Sequence, residues 1–169
     1  MDWRPLGFGC TLALSRFARW LYRGRRPHVL ARGVNRVAAA VFARGVAPDY
    51  LVTLDVRGRR SGRTISLPLV MAVLDRQRYL VSNLGTKAAW VHNVKATSGR
   101  AVLRHGRTEH VRLEEFAIDR RAPILKAYLK RAPGARPHIP VDKDASLDEF
   151  AAIASEIPVF RVLHSGDSR

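Results

Sequence analysis

The sequence predicts a mainly β protein of the α+β kind, a small antiparallel barrel of about six strands with helices before and after it. Three observations lead there. From Tyr50 onward apolar residues recur every second position in short runs, as Leu51, Thr53 and Asp55 alternate with Val52, Leu54 and Val56. The runs are separated by turn signals a few residues long, which suits hairpins and leaves no room for the crossover helices of a parallel sheet. Before Tyr50 the period is helical instead, so residues 1–47 are expected as basic amphipathic helices and residues 48–169 as the barrel.

Taken in order, the first helix is expected from about Thr11 to Tyr22, with Leu14, Phe17, Ala18 and Leu21 on one face. The second covers roughly Val34 to Arg44 with Val37, Ala38, Val41 and Phe42 as its stripe, and Gly45 to Pro48 end it. The strand from Leu51 gives way to the turn Arg57-Gly-Arg-Arg-Ser-Gly-Arg63, and a second strand runs from Thr64 to Val73, where Pro68 marks a bulge or an edge. After a turn at Asp75–Arg78, Tyr79 to Ser82 is a short third strand. Lys87 to Ala96 reads as a helix bearing Trp90, Val91 and Val94. Ala101–Arg104 and Glu109–Phe116 form a hairpin about His105-Gly106-Arg107. A helix from about Arg120 to Arg131, a Pro-rich loop, and a helix capped by Ser146 with Glu149 three residues on precede the last strand, Pro158–Leu163.

Composition narrows the function classes. The chain has 47% hydrophobic and 26% charged residues, which is globular usage. No apolar run approaches the ~18 residues of a membrane span, and the N-terminal stretch Leu6–Leu14 is broken by Gly7, Gly9 and Thr11 and followed by arginines, unlike a signal peptide; a cytoplasmic protein is expected. Cys10 is the single cysteine, which excludes a disulfide framework. Thirty basic against fourteen acidic residues give a net charge of +16, a surplus that draws anionic partners: nucleic acid, acidic lipid or a polyanionic cofactor. Nine arginines against Asp2 alone place +8 of it in residues 1–47.

Three segments are candidates for chemistry. In Arg57–Arg63 the glycines let successive N–H groups face one anion, Arg59, Arg60 and Arg63 add bidentate donors, and Ser61 adds a hydroxyl. A solvated turn in an Arg-rich protein is an equal alternative at this point. In Trp90-Val91-His92-Asn93, Trp90 and Asn93 share a helix face, suited either to a ring system and its polar edge or to the core. Ser82-Asn83-Leu84-Gly85-Thr86-Lys87 leads from a strand into that helix, whose N-terminus is a weak anion signal. The six histidines lack His-x-x-x-His spacing, and no Gly-x-Ser-x-Gly, Gly-x-Gly-x-x-Gly or P-loop occurs. Glu114 and Glu115 are expected to face solvent.

In order and spacing, Gly58-Arg59-Arg60-Ser61-Gly62, Pro68-Leu69, Trp90-Val91-His92-Asn93 and Ile157-Pro158-Val159-Phe160 resemble the deazaflavin-dependent nitroreductase and quinone reductase family, which uses coenzyme F420. The resemblance covers about Leu51–Phe116 and the last strand. It implies a split β-barrel in which the Arg-rich hairpin holds the coenzyme's phosphate and oligoglutamate tail, with Pro68, Leu69, Trp90, Asn93 and the loop Ser82, Asn83, Leu84, Gly85, Lys87 near the ring. It also implies hydride transfer to an electrophilic acceptor such as a quinone, an activated alkene or a nitro-compound, with the protein orienting the coenzyme. The chain departs from the pattern at Ile65, where an arginine is common and for which Arg63 is the substitute, and in a shorter loop before Trp90. Its segment Ala135–Phe150 replaces a tyrosine-rich one, which leaves the acceptor open and counts against nitroreduction; His138 and Phe150 are assigned to the acceptor side.

Two further readings stay open beside this one. A split barrel binding FMN or FAD would purify yellow. A nucleic-acid-binding module would follow from +16, although the basic residues are not interleaved with aromatics for stacking, so no specific nucleic acid is expected. The expected partner is a small-molecule electron acceptor, the expected state a monomer or homodimer. Residues 11–26, with Phe17, Trp20 and Leu21, suit peripheral contact with an anionic membrane, against the alternative of helices packed on the barrel.

Overall fold

The structure is a computed structural model that describes residues 37–41, 43–45 and 48–165, all within one compact unit, Asn35–Arg169. The expected first helix and the membrane contact at residues 11–26 lie outside the described residues.

Six antiparallel strands close into a barrel in the order β1-β2-β3-β6-β5-β4. They are β1 (Leu51–Arg57), β2 (Thr64–Leu74), β3 (Gln77–Val81), β4 (Arg100–His105), β5 (Arg107–Glu115) and β6 (Val159–His164). Strand β1 is paired on both edges, Leu54 standing opposite Leu67 of β2 and Leu103 of β4, which closes the ring. The third strand begins two residues earlier than the side chains suggest. Asp75 and Arg76, both at positive φ, make a two-residue turn whose twist suits a hairpin, so Gln77 already pairs with Leu74. Pro68 sits where its missing N–H costs nothing: β2 meets β3 only over Met71–Leu74, so Thr64–Val70 has β1 on one side and no strand on the other. It marks an edge, and the barrel is split there.

The period of two sorts side chains into two cores. Val52, Leu54 and Val56 of β1 point inward with Leu80, Leu103, Leu113 and Phe160, and the helix α1 (Ala89–Ala96) plugs this inner core with Trp90, Val91 and Val94. Tyr79, Val81, Ala72 and Val159 face outward into a second core. It is covered by α2 (Ala122–Arg131), by a 3-10 segment at Pro133–His138 within the expected Pro-rich loop, and by α3 (Leu147–Ile153). Helix α3 has the expected capping box: Ser146 Oγ accepts from the Glu149 N–H, and the Glu149 carboxylate accepts from the Ser146 N–H. Before the barrel, residues 37–41 and 43 are helical and the chain turns at Gly45, φ +71°. This segment lies on the barrel, since the buried Thr53 hydroxyl donates to Ala39 O at 2.6 Å and the Gly106 N–H to Ala43 O at 2.9 Å. Among the described residues no helix is long and apolar enough to cross a membrane.

The strand directions give the barrel two distinct ends. The Arg57–Arg63 hairpin, the 82–88 loop and α1 gather at one. The Asp75–Arg76 turn and the Gly106 turn lie at the other, where Arg78 of β3 grips Glu109 of β5 bidentately at 2.7 and 2.5 Å, and His164 of β6 adds a contact at 3.0 Å. The hydrogen bonds from Arg78 hold the Glu109 carboxyl at about 2, from an ordinary value of 4.5. A depressed acid stabilises the fold fully above its unfolded value and loses that contribution as pH falls through its folded one. Urea midpoints of the wild type should therefore fall between pH 4.5 and pH 2 more steeply than those of Glu109→Gln; parallel curves would show that the clamp carries no net stability.

Candidate functional site

The Arg57–Arg63 turn is held in shape by its own backbone. The Gly58 N–H donates to Arg63 O and the Gly62 N–H to Gly58 O, each at 2.8 Å, and Gly62 takes φ +65°, which favours glycine. The Arg57 Nε donates to Gly62 O at 3.2 Å, and the Ser61 hydroxyl accepts from the Arg63 N–H at 3.3 Å. Arg60, Ser61 and Arg63 are exposed. Among the described residues the N–H groups of Arg60 and Ser61 and the guanidiniums of Arg60 and Arg63 have no hydrogen-bond acceptor or carboxylate partner. A turn with unpartnered N–H groups and guanidiniums side by side fits a phosphate, through the same physics as a backbone anion nest.

Arg59 is different, because it is anchored. Its backbone N–H and its Nη1 both donate to the Asn93 Oδ1, at 3.2 and 3.1 Å, and Nη1 also reaches Ala89 O at 3.5 Å. Asn93 is only 3% exposed and faces inward on α1 with Trp90, while His92 points to solvent. The Gly-Arg-Arg-Ser-Gly and Trp-x-x-Asn segments, 34 residues apart at Arg59 and Asn93, are thus one structural unit. Trp90 itself is mostly core: it is 8% exposed and its ring lies 5.3 Å from that of Phe160.

The loop before α1 flanks the same place, since Lys87 stands two residues before the Ala89 carbonyl that Arg59 reaches. Ser82 is buried, its N–H donating to Pro158 O at 2.9 Å and its hydroxyl to Gly85 O at 2.8 Å. Gly85 is at φ +75°, where a Cβ would come within 3.2 Å of Glu156 O. Asn83 is half-buried, Leu84 is 51% exposed, and Lys87 is exposed. Pro68 and Leu69 are half-buried on the split half of β2, Leu67 and Leu69 packing on the inner core. Ile65, where an arginine was expected, is 41% exposed beside the hairpin, its Cδ1 3.0 Å from where a Gly58 Cβ would sit. This end of the barrel therefore combines N–H and guanidinium donors with a half-buried apolar strip.

Arg121 gave no signal in the sequence, yet it braces this end from beneath. It is 3% exposed; Nε donates to Phe116 O at 2.8 Å, Nη1 to Ala154 O and Ile157 O, and Nη2 to Glu115, which also pairs with Lys95 on α1. The chain that Ser82 and Gly85 lean on, and the helix that holds Arg59, thus share one buried cation. The residues assigned to the acceptor side lie on elements that cover the outer core. Phe150 is fully buried in the outer core, because the Ser146 cap places it one turn into α3 on the inward face, so it lines no accessible surface. His138 is half-buried at the end of the 3-10 segment, and burial lowers its pKa. Glu114 and Glu115 are exposed and ion-paired, as strand-end carboxylates facing solvent. Among the described residues no group of histidine and acidic side chains could hold a metal.

A sequence profile of the F420H(2)-dependent quinone reductase family matches residues 32–138, well over half of the chain. The chain belongs to that family. It is a family of oxidoreductases, and the match spans the hairpin, the split strand, α1 and the loop before it. Among solved structures, the protein Atu2129 of unknown function from Agrobacterium tumefaciens is 16% identical with a TM-score of 0.53, over 80% of this chain and 57% of that one. The conserved hypothetical protein Rv2991 from Mycobacterium tuberculosis is 14% identical with a TM-score of 0.51, over 75% and 79%. These likenesses speak for the fold. No curated protein matches the chain.

The Arg59–Asn93 link can be tested without any ligand. Asn93→Ala leaves the Arg59 N–H without its acceptor, and a net hydrogen-bond contribution of about 1 kcal/mol corresponds to roughly fivefold in local opening. Hydrogen exchange at the Arg59 amide should accelerate by at least that factor while the amides of β1 and β4 keep their protection. Unchanged exchange at Arg59 would mean that the hairpin stands without the helix.

Proposed function

We propose that this protein is an F420H2-dependent oxidoreductase that passes a hydride to a small electrophilic acceptor, a quinone in the first instance. The observation that carries the reading is the Arg-rich hairpin with its unpartnered donors, locked by Asn93 to the helix that plugs the barrel, inside the segment that matches the quinone reductase profile. Arg60, Arg63 and the free N–H groups of Arg60 and Ser61 would hold the coenzyme's phosphate, and Arg59, fixed by Asn93, would set the position of that anchor before binding. The reduced deazaflavin supplies the hydride when bound, and the residues around it orient it. The half-buried strip of Leu67, Pro68 and Leu69, with the exposed Leu84, offers a ring an apolar bed and keeps water from its face. Ser82, locked to Gly85 O, and the backbone of the 82–87 loop set the far rim of that bed. FMN or FAD would meet the same phosphate donors, so the choice between coenzymes is settled by titration.

Titration of the full chain by fluorescence should give low-micromolar or tighter binding of F420 and weaker binding of FMN. Reduced F420 should then be consumed on addition of a soluble quinone. The Arg59→Glu/Arg60→Glu variant should lose coenzyme binding and keep the far-UV spectrum and melting temperature of the fold. Binding that survives this double charge reversal would remove the hairpin from the site; binding of neither coenzyme by the wild type would remove the oxidoreductase reading.

A further inference from the structure

Among the described residues Arg121 is the one charged residue that is buried. Taking a guanidinium out of water is costly, and an apolar side chain would fill the same space without that cost. An apolar side chain would not hold several polar groups at fixed separations. The guanidinium does, because it is planar and carries its donors in a rigid fork.

The fork has two arms. On one, Nη1 donates to Ala154 O at 3.1 Å and to Ile157 O at 3.4 Å, at the end of α3 and in the turn after it. That turn supports the 82–85 loop: Pro158 O accepts from the Ser82 N–H at 2.9 Å, and Glu156 O would lie 3.2 Å from a Cβ on Gly85. On the other arm, Nη2 donates to Glu115 Oε1 at 3.2 Å, and Glu115 Oε2 takes Lys95 of α1 at 2.7 Å. Two residues before Lys95, Asn93 holds Arg59. Between the arms, Nε donates to Phe116 O at 2.8 Å and fixes the guanidinium to the end of β5.

The two arms reach different halves of the coenzyme site. The 82–85 loop borders the apolar bed, and α1 carries the anchor of the phosphate hairpin. In the chain they are joined directly only through Thr86–Ala88. There the Ala88 N–H meets Gly85 O at a long 3.4 Å, and Ala88 gives α1 no side-chain cap. That link alone leaves the spacing of the two halves soft. Closing the C-terminal end of α3 accounts for the contacts to Ala154 and Ile157. It accounts for neither Phe116 nor Glu115.

We infer, on the basis of the coenzyme reading above, that Arg121 is a positioning residue for hydride transfer, a rigid spacer that sets the loop bordering the ring against the helix that anchors the phosphate. It acts through Ser82 and Gly85 on one arm and through Glu115 and Lys95 on the other. A misplacement of about 1 Å costs on the order of a hundredfold in rate, and the grip on a phosphate held elsewhere need not change with it. The expected signature is therefore a slow transfer step in a protein that still binds its coenzyme.

Wild type, Arg121→Lys and Glu115→Ala decide it. Lysine keeps the charge and loses the fork; Glu115→Ala keeps every backbone contact of Arg121 and removes the arm to α1 at an exposed position. In the ligand-free proteins, exchange at the Ser82 and Gly85 amides should accelerate about fivefold or more in Arg121→Lys, while the amides of β1 and β4 keep their protection. Fluorescence titration should give both variants an F420 affinity within about twofold of the wild type. Single-turnover oxidation of reduced F420 by a soluble quinone, at saturating coenzyme, should slow about tenfold or more in both. Should Arg121→Lys fail to fold, Glu115→Ala alone carries the comparison. A transfer rate that stays at the wild-type value in Glu115→Ala overturns the inference and leaves Arg121 a brace of the fold, even where exchange at Ser82 is faster. Affinity and rate that fall together overturn it as well. A wild type that binds no F420 removes the coenzyme reading and this role with it, whereas a competent wild type with unaltered variants removes the role alone.

Discussion

The amide oxygen of Asn93 is where the inside of the barrel meets its charged exterior. Helix α1 is fixed by apolar contacts of Trp90, Val91 and Val94 in the inner core, which is dense and tolerates little displacement. One turn of that helix presents a single acceptor to the two Arg59 donors, so an exposed and self-repelling turn inherits its position from the interior. Without such a link, four arginines on a hairpin tip would spread apart. With it, Arg59 is committed to the helix and Arg57 to Gly62 O, and Arg60 and Arg63 are left to point outward from a fixed base. The charge at the surface is ordered because the core is.

That arrangement explains the division of labour among the residues around the site. Those with strong sequence identities, Trp90 and Asn93, turn inward and organise; those that face solvent, Arg60, Arg63 and Lys87, are the ones available to a ligand. Arg121 extends the same logic one layer down, since its guanidinium is spent on backbone carbonyls that frame the loop after Val81 and on the Glu115 that pairs with α1. Buried cations are costly unless fully satisfied, and here four acceptor contacts supply the satisfaction.

Much of the fold was legible because it follows from short-range pattern. The alternation from Leu51, the glycines of the hairpin turns and the capping box at Ser146 each act within a few residues, and all of these elements form. Boundaries moved where a local conformation overrode side-chain preference, as the positive-φ pair Asp75–Arg76 did in starting β3 at Gln77. The candidate site was legible as separate segments whose connection was not. Nothing in the sequence links residue 59 to residue 93, since a hydrogen bond between motifs depends on how the barrel closes. Phe150 shows the opposite error: helical phase places it inward once the cap is fixed, and that phase was available in the sequence.

The open half of β2 has a consequence for the molecule in a crowded solution. Seven residues, Thr64–Val70, have one flank without a strand beside it, and such a flank is a ready template for a strand from another chain. Pro68 interrupts that template in its middle by withholding an N–H, and Arg63 at its entrance adds charge that a second copy would share and repel. Strand addition by a second copy along this flank is thereby disfavoured. A feature first noticed as a break in a strand pattern thus makes this flank of β2 a poor template for a second strand.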